Sequence, residues 1–344
     1  MWIRFAAFCL IAGLAQAREP VPIILDTDIG GDIDDALALA LALQSPELDV
    51  LAVTTVADDT ATRARLAWKE LGLYGRRDIP VAAGAGETLV GPYGNRPTPA
   101  QFQALDLQDA DPPAARRRAT DVIIETLMAS PRKVTLVPIG PMTNIALALK
   151  EEPRIKQRIE RIVMMGGAFD LLIPEYNIRR DYLASAIVFR SGVPITAVGL
   201  DVTLKCKLQG ADLARLRQAA HPSVQFLVRL IELWQGGRSD RYPTLHDPLA
   251  VAVAFLPDLV ETQPGRVEVE TAGSNATKGL TVFTPAKDPP GRYIPFALAP
   301  DPTDRPRDAG MTTLVARQVK AGAFLDLFVQ RLAAAPRGKV QGTN

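Results

Sequence analysis

The chain has 344 residues, 47% of them hydrophobic and 22% charged, and its formal net charge at pH 7 is +1. This composition is typical of a globular protein, and the near-zero charge gives no electrostatic footprint for polymeric nucleic acid or an anionic membrane. A neutral small molecule is therefore the favoured kind of substrate. Length alone allows two domains, but we find no internal repeat and no clear linker, which favours one α/β domain.

The N-terminus has the pattern of a cleavable export signal. A short positive segment, residues 1–4, precedes an apolar run at residues 5–14, and Ala15-Gln16-Ala17 supplies the small-x-small cleavage pattern. A membrane anchor is the alternative, but the run is shorter than the ~20 residues that span a bilayer. We therefore predict a signal peptide at residues 1–17, a mature domain at residues 18–344, and a periplasmic or secreted location. Cleavage would leave Cys206 as the single cysteine, so no internal disulfide is expected.

Short apolar runs alternate with helical patterns along the rest of the chain. We predict strands at residues 21–25, 48–56, 134–139, 159–165 and 195–200, and helices at residues 36–43, 62–73, 120–129, 144–149, 181–191 and 309–335. Stretches rich in Gly and Pro at residues 86–113 and 285–307 predict loops. Near-continuous apolar strands between helices predict a mainly parallel, Rossmann-like central sheet with helices on both faces. In such folds the site lies at the carboxyl ends of the strands.

An acidic cluster directly follows the first predicted strand. Its five carboxylates within ten residues are Asp26, Asp28, Asp32, Asp34 and Asp35. Packed into one site they would repel one another strongly without a cation, and oxygen ligands suit a hard ion such as Ca²⁺ or Mg²⁺. A solvated turn that caps the next helix is the alternative interpretation. The position of the cluster at the end of a buried strand favours the metal site.

The chain contains two histidines, His221 and His246. His246 precedes Asp247 at the start of an apolar helical pattern, and an imidazole can act as a general acid because its pKa lies near neutrality. A histidine that only caps the helix or packs in the core is the alternative. His221 precedes Pro222 in a pattern typical of a helix boundary, and we assign it no role.

Together these segments resemble the inosine-uridine-preferring nucleoside hydrolase family. The acidic loop is similar to that family's Asp-x-Asp-x-Gly-x-Asp-Asp signature, and residues 245–249 resemble its His-Asp-Pro segment. Segments at residues 137–144, 164–167, 175–177 and 194–203 also fall in the family's order. The resemblance spans residues 22–332. It implies hydrolysis of the N-glycosidic bond of a ribonucleoside to free base and ribose, with Ca²⁺ as the cofactor.

The resemblance also implies roles for individual residues. The implied metal ligands are Asp28, Asp35, Asp247 and the backbone carbonyl of Ile139, and the implied sugar contacts are Asp34, Glu175 and Asn177. Asp28 would also take a proton from the attacking water. His246 would protonate the departing base.

Three departures from the family's pattern concern the substrate. The acidic loop is two residues longer than usual, so Asp32 could take over a role of Asp34 or Asp35. Asp58 and Asp59 stand where the family commonly has Gly-Asn, which replaces an amide near the sugar with a carboxylate. The segment at residues 167–175 is shortened and lacks the usual Gly-Asn. These departures leave the core chemistry intact and the identity of the base open.

Two other functions are compatible with parts of the sequence. A phosphatase could use Asp26 or Asp28 as nucleophile with Mg²⁺, although the segment around His246 would then have no explanation. An exported nucleoside-binding protein without catalysis would explain the altered sugar contacts. The predicted partner is a small-molecule nucleoside, with no nucleic acid polymer and no membrane after processing. A homo-oligomer, either a dimer or a tetramer, is compatible with this interpretation.

Overall fold

The computed structural model describes residues 19–92, 97–286 and 313–337, so the predicted signal peptide at residues 1–17 lies outside them. The strands are β1 (Val21–Thr27), β2 (Leu48–Thr55), β3 (Val81–Ala83), β4 (Val134–Pro138), β5 (Ile159–Met165), β6 (Ile195–Val198), β7 (Val260–Val269), β8 (Thr281–Pro285) and β9 (Thr313–Val319). The α-helices are α1 (Asp34–Gln44), α2 (Thr60–Leu73), α3 (Ala119–Ala129), α4 (Thr143–Glu151), α5 (Tyr176–Arg180), α6 (Tyr182–Phe189), α7 (Leu200–Thr203), α8 (Gly210–Gln218), α9 (Pro222–Gln235), α10 (His246–Phe255) and α11 (Ala321–Ala333).

The described strands form a single mixed sheet in the order β3-β2-β1-β4-β5-β6-β9-β7-β8. Neighbours are parallel from β3 across to β9, whereas β7 pairs antiparallel with both β9 and β8. The predicted mainly parallel sheet is therefore confirmed. Near the carboxyl end of β1, Asp26 lies level with Thr54 of β2 and Pro138 of β4. The loops that follow these three strands consequently leave the sheet side by side.

Helices cover both faces of the sheet because successive strand residues point to opposite sides. Ile23 and Leu25 belong to the core cluster that includes α1, α9, α10 and α11. Ile24, between them in sequence, belongs to the cluster that includes α3, α4 and α6. Every residue of α1 is buried, since its Ala- and Leu-rich sequence is apolar all round apart from its ends. The two acidic residues that open α1 are therefore held in a rigid, buried helix.

One prediction for the C-terminal part requires correction. Residues 313–319 were expected to lie in the closing helix, but they form β9, and the helix begins at Ala321. Val315 and Ala316 are fully buried within the sheet, so tertiary pairing decides the conformation of an apolar run that also fits a helix. The sequence analysis also missed β3, β7 and β8. No helix in the described part of the chain has both the length and the apolar character needed to cross a bilayer.

Candidate active site

A cavity of about 1020 Å³ opens at the carboxyl ends of the central strands. Its wall includes the residues after β1, β2, β4 and β5, the first turn of α10 and the last turn of α9. All the residues predicted for the site line it, namely Asp28, Asp34, Asp35, Ile139, Glu175, Asn177, His246 and Asp247. The structure thus brings together residues up to 219 positions apart at the edge of the sheet where α/β proteins bind ligands.

Three carboxylates converge at the floor of the cavity. Asp34, Asp35 and Asp247 each offer an oxygen, and these oxygens lie within 4.8 Å of one another. Asp34 and Asp35 stand in the first turn of α1 and Asp247 in the first turn of α10, where the helix dipole favours negative charge. The backbone N–H of Asp247 also donates to the Asp34 carboxylate at 3.2 Å, which ties the two helix ends together.

Asp28 lies beside this cluster. Its backbone N–H donates to the Asp35 carboxylate at 3.1 Å, and the same oxygen accepts from the Thr27 hydroxyl at 2.5 Å. Gly140, the residue after Ile139, approaches Asp28 so closely that a Cβ at position 140 would lie 2.9 Å from the Asp28 Oδ1. A glycine is required there by this contact, which brings the loop after β4 to the side of Asp28.

Burial and mutual repulsion raise the pKa of these carboxyls. For Asp34, Asp35 and Asp247 burial is the main cause of the raised pKa, and neighbouring carboxylates add to it. Burial also raises the pKa of Asp28, although the Arg63 guanidinium opposes this effect. A divalent cation would reverse this balance by favouring the ionised forms. The buried, oxygen-only donor set therefore fits a hard cation.

Ile139, Glu175 and Asn177 form the neighbouring wall. The Asn177 side-chain amide donates to the carbonyl of Ile139 at 2.9 Å and to that of Met165 at 3.2 Å. The Glu175 carboxylate caps α5 by accepting from the N–H groups of Asn177 and Ile178, and it also accepts from Gly167. Burial raises the pKa of Glu175 to about 7. The local sequence gave no sign of this capping role.

His246 contacts a residue that the sequence analysis did not single out. Its Nδ1 lies 2.7 Å from the Thr203 hydroxyl, at the end of α7. Burial lowers the pKa of His246, whereas Asp32 raises it. Since Nδ1 is occupied, Nε2 is the nitrogen left for a substrate. Thr203 and His246 are 43 residues apart, and a contact over that distance leaves no local sequence signal.

Three other residues considered in the sequence analysis, His221, Cys206 and Asp26, are not among the residues that line the cavity. His221 is the residue before α9, as its boundary pattern predicted. Cys206 is buried, and burial raises the pKa of its thiol to about 12. The carboxylate of Asp26 accepts from the Thr54 hydroxyl at 2.6 Å and the Asn144 amide at 2.8 Å. None of these three is placed to react with a ligand in the cavity.

Asp58 and Asp59, which depart from the family's pattern, have separate structural partners. Asp59 caps α2 by accepting from the N–H of Thr62 at 3.0 Å. Asp58 forms ion pairs with two buried arginines, Arg63 and Arg180. Asp58 and the preceding Ala57 adopt positive φ angles of 56° and 65°, which is unfavourable for residues other than glycine. The ion pairs hold this strained turn at the cavity wall.

Arg63 also fixes the acidic loop. Its guanidinium donates to the backbone carbonyls of Asp28, Ile29 and Ala57. An arginine within a helical pattern is normally expected on the solvated surface, so the sequence gave no indication of this contact. The arginine thereby links the loops after β1 and β2 and places positive charge near Asp28.

Comparison with known proteins connects this geometry to one family. The family model described as inosine-uridine preferring nucleoside hydrolase matches residues 23–326. A pyrimidine-specific ribonucleoside hydrolase, RihA of Shewanella sp. (strain ANA-3), is 37% identical over 328 residues, covering 91% of this chain and 96% of the relative. RihA of Klebsiella pneumoniae is 36% identical over 327 residues, covering 91% of this chain and 98% of the relative.

Solved structures show the same likeness. A plant nucleoside hydrolase, PpNRh1, superposes with a TM-score of 0.78 at 30% identity and covers 92% of this chain and 100% of its own. A purine-preferring ribonucleoside hydrolase from Gardnerella vaginalis superposes with a TM-score of 0.75 at 32% identity, covering 91% of this chain and 98% of its own. The similarity thus extends over nearly the whole described fold.

Proposed function

We propose that Asp28 deprotonates the water with which this chain hydrolyses the N-glycosidic bond of ribonucleosides. The chain belongs to the inosine-uridine preferring nucleoside hydrolase family. The observation that carries the proposal is the buried group of Asp34, Asp35 and Asp247 beside Asp28 on the cavity floor. Family membership removes the phosphatase and the binding-only alternatives.

The cofactor we propose is Ca²⁺, held by Asp28, Asp35, Asp247 and the carbonyl of Ile139. Their all-oxygen chemistry and burial support this choice, because Ca²⁺ prefers carboxylate and carbonyl oxygens. When bound, such an ion supplies positive charge that keeps the carboxylates ionised and makes a neighbouring water more acidic. Asp34 lies close enough to join the ligands, so its sugar contact and a ligand role are both compatible with the geometry.

The residues on the cavity wall have separate roles in the proposed reaction. A water oxygen forms a bond to C1′ of the ribose while its proton passes to Asp28. The bond between C1′ and the base nitrogen breaks, and its electron pair stays on the base. The sugar carbon acquires positive charge in this step, which the carboxylates of the floor stabilise. Asp34, Glu175 and Asn177 are the residues we propose to hold the sugar hydroxyls.

His246 is the residue we propose to protonate the base. In the imidazolium form, which can give up a proton, Nδ1–H would donate to the Thr203 hydroxyl and Nε2–H would face the substrate. Burial lowers the pKa of His246, which disfavours this protonated form. Proton delivery by solvent is therefore the alternative route for the same step.

A turnover assay tests this proposal. We expect hydrolysis of inosine or uridine that chelation abolishes and added Ca²⁺ restores. Asp28→Asn should lower kcat by ~10²–10⁴-fold, the usual cost of losing a general base. Asp32→Asn, a change of the same kind in the same loop, should retain most of the rate because Asp32 is exposed at the rim. Full activity of Asp28→Asn, or loss in Asp32→Asn alone, would contradict the assignment.

A further inference from the structure

Arg241 and Trp234 form a distinct part of the cavity wall. Trp234 lies in the last turn of α9, Arg241 lies in the loop before α10, and both line the cavity together with His246. The guanidinium carbon of Arg241 lies 3.6 Å from the centroid of the Trp234 ring. At this distance the planar guanidinium stacks on the indole, an arrangement that favours arginine over lysine.

The surrounding loop fixes this stack. The Arg241 guanidinium donates to the carbonyl of Trp234 at 2.6 Å, and the Gln235 side chain donates to the carbonyl of Arg241 at 2.7 Å. Gly236 follows the last residue of α9 with a φ of 57°, a left-handed conformation that terminates the helix just before this loop. Arg241 is thus held at both its backbone carbonyl and its guanidinium.

Arg241 is the cationic side chain of the described cavity wall whose N–H groups remain available to a ligand. In the described part of the wall the cationic side chains are Arg63 and Arg241. The N–H groups of Arg63 are directed to backbone carbonyls and to Asp58. Among the residues that the structure describes, Arg241 forms no ion pair with a carboxylate. Its remaining N–H donors are therefore available to a molecule bound in the cavity.

The charges of the wall match the charges that develop in N-glycoside hydrolysis. Bond cleavage creates positive charge on the sugar and negative charge on the base. Asp34, Asp35 and Asp247 form the carboxylate group, whereas Arg241 lies outside it, in the loop that leads to His246 at the start of α10, and its nearest named charge is Asp32. A cation is most effective when it is fixed in advance where negative charge will appear.

We propose that Arg241, stacked on Trp234, is a catalytic residue that binds the oxygen-bearing edge of the nucleobase and stabilises the negative charge of the departing base. This inference rests on the proposed function. The electron pair of the broken C1′–N bond delocalises from the base nitrogen onto an exocyclic carbonyl oxygen of the base, which accepts hydrogen bonds from Arg241. Arg241 keeps its own proton throughout. The base anion then takes a proton from His246 or from water and leaves as the neutral base.

The chemistry of arginine also specifies the kind of base edge. Its N–H groups only donate, so they match an oxygen or two neighbouring acceptors and are repelled by an amino group. The paired N7 and O6 acceptors of a 6-oxopurine are met by arginine in this way in nucleic acids. A uracil carbonyl offers a single acceptor of the same kind.

Leaving-group dependence tests the assignment. The substrates are inosine, uridine, 5-fluorouridine and p-nitrophenyl riboside. The stability of the departing anion increases from uridine to 5-fluorouridine to p-nitrophenyl riboside. Arg241→Ala should lower kcat on inosine and uridine by ~10²-fold, comparable to the loss of one oxyanion donor. The loss should be smaller for 5-fluorouridine and less than about threefold for p-nitrophenyl riboside, whose anion needs little support. Arg238→Ala removes an exposed arginine of the same loop and serves as the matched control.

The possible outcomes separate this inference from the proposed function. Equal losses on all four substrates, or no loss on any, would overturn the role of Arg241 while leaving the wild-type reaction in place. Wild-type protein with Ca²⁺ that hydrolyses none of the four ribosides would overturn the proposed function itself. Arg241→Gln preserves the length of the side chain and should show the same graded loss. It replaces the alanine variant if thermal unfolding shows that Arg241→Ala does not fold.

Discussion

Thr203 and His246 form the contact on which the proposed protonation of the base depends. The Nδ1 to hydroxyl distance of 2.7 Å fixes the orientation of the ring and leaves Nε2 for the substrate. A residue that transfers a proton and a residue that only packs differ in their response to the leaving group. The structure therefore makes the two interpretations of His246 separable by experiment.

We predict that His246→Ala slows hydrolysis of inosine far more than that of p-nitrophenyl riboside. Hypoxanthine is poorly activated as a leaving group and needs a proton, whereas p-nitrophenolate leaves as a stable anion. Thr203→Val should show the same pattern more weakly, because the ring loses its orienting partner but keeps its proton. Measurement of kcat on both substrates for each variant checks this. Equal losses on the two substrates would return His246 to a structural role through misplacement of Asp247.

The limits of sequence analysis at single residues are clear from the arginines. The aspartates of the acidic loop lie close together in sequence, so their clustering could be read directly from residues 26–35. Arg63, Arg180 and Arg241 instead act through partners that only the fold brings near. Each of them also fits an exposed surface position in the local pattern. The cationic part of the site therefore could not be predicted.

Among the elements, strand prediction succeeded where the strands are buried on both faces. Such strands, for example β1 and β5, are continuous apolar runs that stand out in the sequence. The segment of β7 carries Pro264 and Gly265 in its middle, which is typical of a loop or an irregular edge strand. Its conformation is decided by pairing with β9 and β8, and that pairing has no local signature.

Helix α2 contains a buried carboxyl that affects stability. Glu70 is fully buried, and neither of its carboxylate oxygens has a hydrogen-bond partner among the described residues. Burial raises its pKa well above the usual 4.5. The folded state therefore holds the proton where the unfolded state has released it. The free energy of unfolding should consequently fall as the pH rises above 4.5, toward the raised pKa of the folded state.

We predict that Glu70→Gln removes this contribution to the pH dependence. The variant keeps the shape of the side chain but has no charge to bury, so its stability relative to wild type should increase from pH 5 to pH 8. The measurement is the free energy of unfolding in denaturant at several pH values. Glu261→Gln, an exposed glutamate on β7, is the control and should leave the slope unchanged. Parallel pH profiles for Glu70→Gln and wild type would refute the prediction.

For the molecule as a whole, the carboxylate group is also a junction between distant parts of the chain. Asp34 and Asp35 belong to α1 near the N-terminus, whereas Asp247 belongs to α10, more than 200 residues later. The two helices pack together within one core cluster, and their first turns meet at the cavity. Repulsion among the carboxylates opposes this junction, and a bound cation would strengthen it. The site and the stability of the fold are therefore coupled.

We predict that Ca²⁺ stabilises the folded protein by mass action, because the unfolded chain does not bring these oxygens together. At a free Ca²⁺ concentration 100 times the Kd, the stabilisation would be ~2.7 kcal/mol, a shift of several degrees in the unfolding midpoint. Calorimetry with chelator and with increasing Ca²⁺ should show a Tm that rises with the logarithm of concentration. Asp247→Asn should weaken that dependence, since it removes a charged ligand, while Asp121→Asn on the opposite side of the sheet should preserve it. A wild-type Tm that chelation and Ca²⁺ leave unchanged would show that the carboxylates are stable together without the ion, and would remove the physical basis for a calcium site.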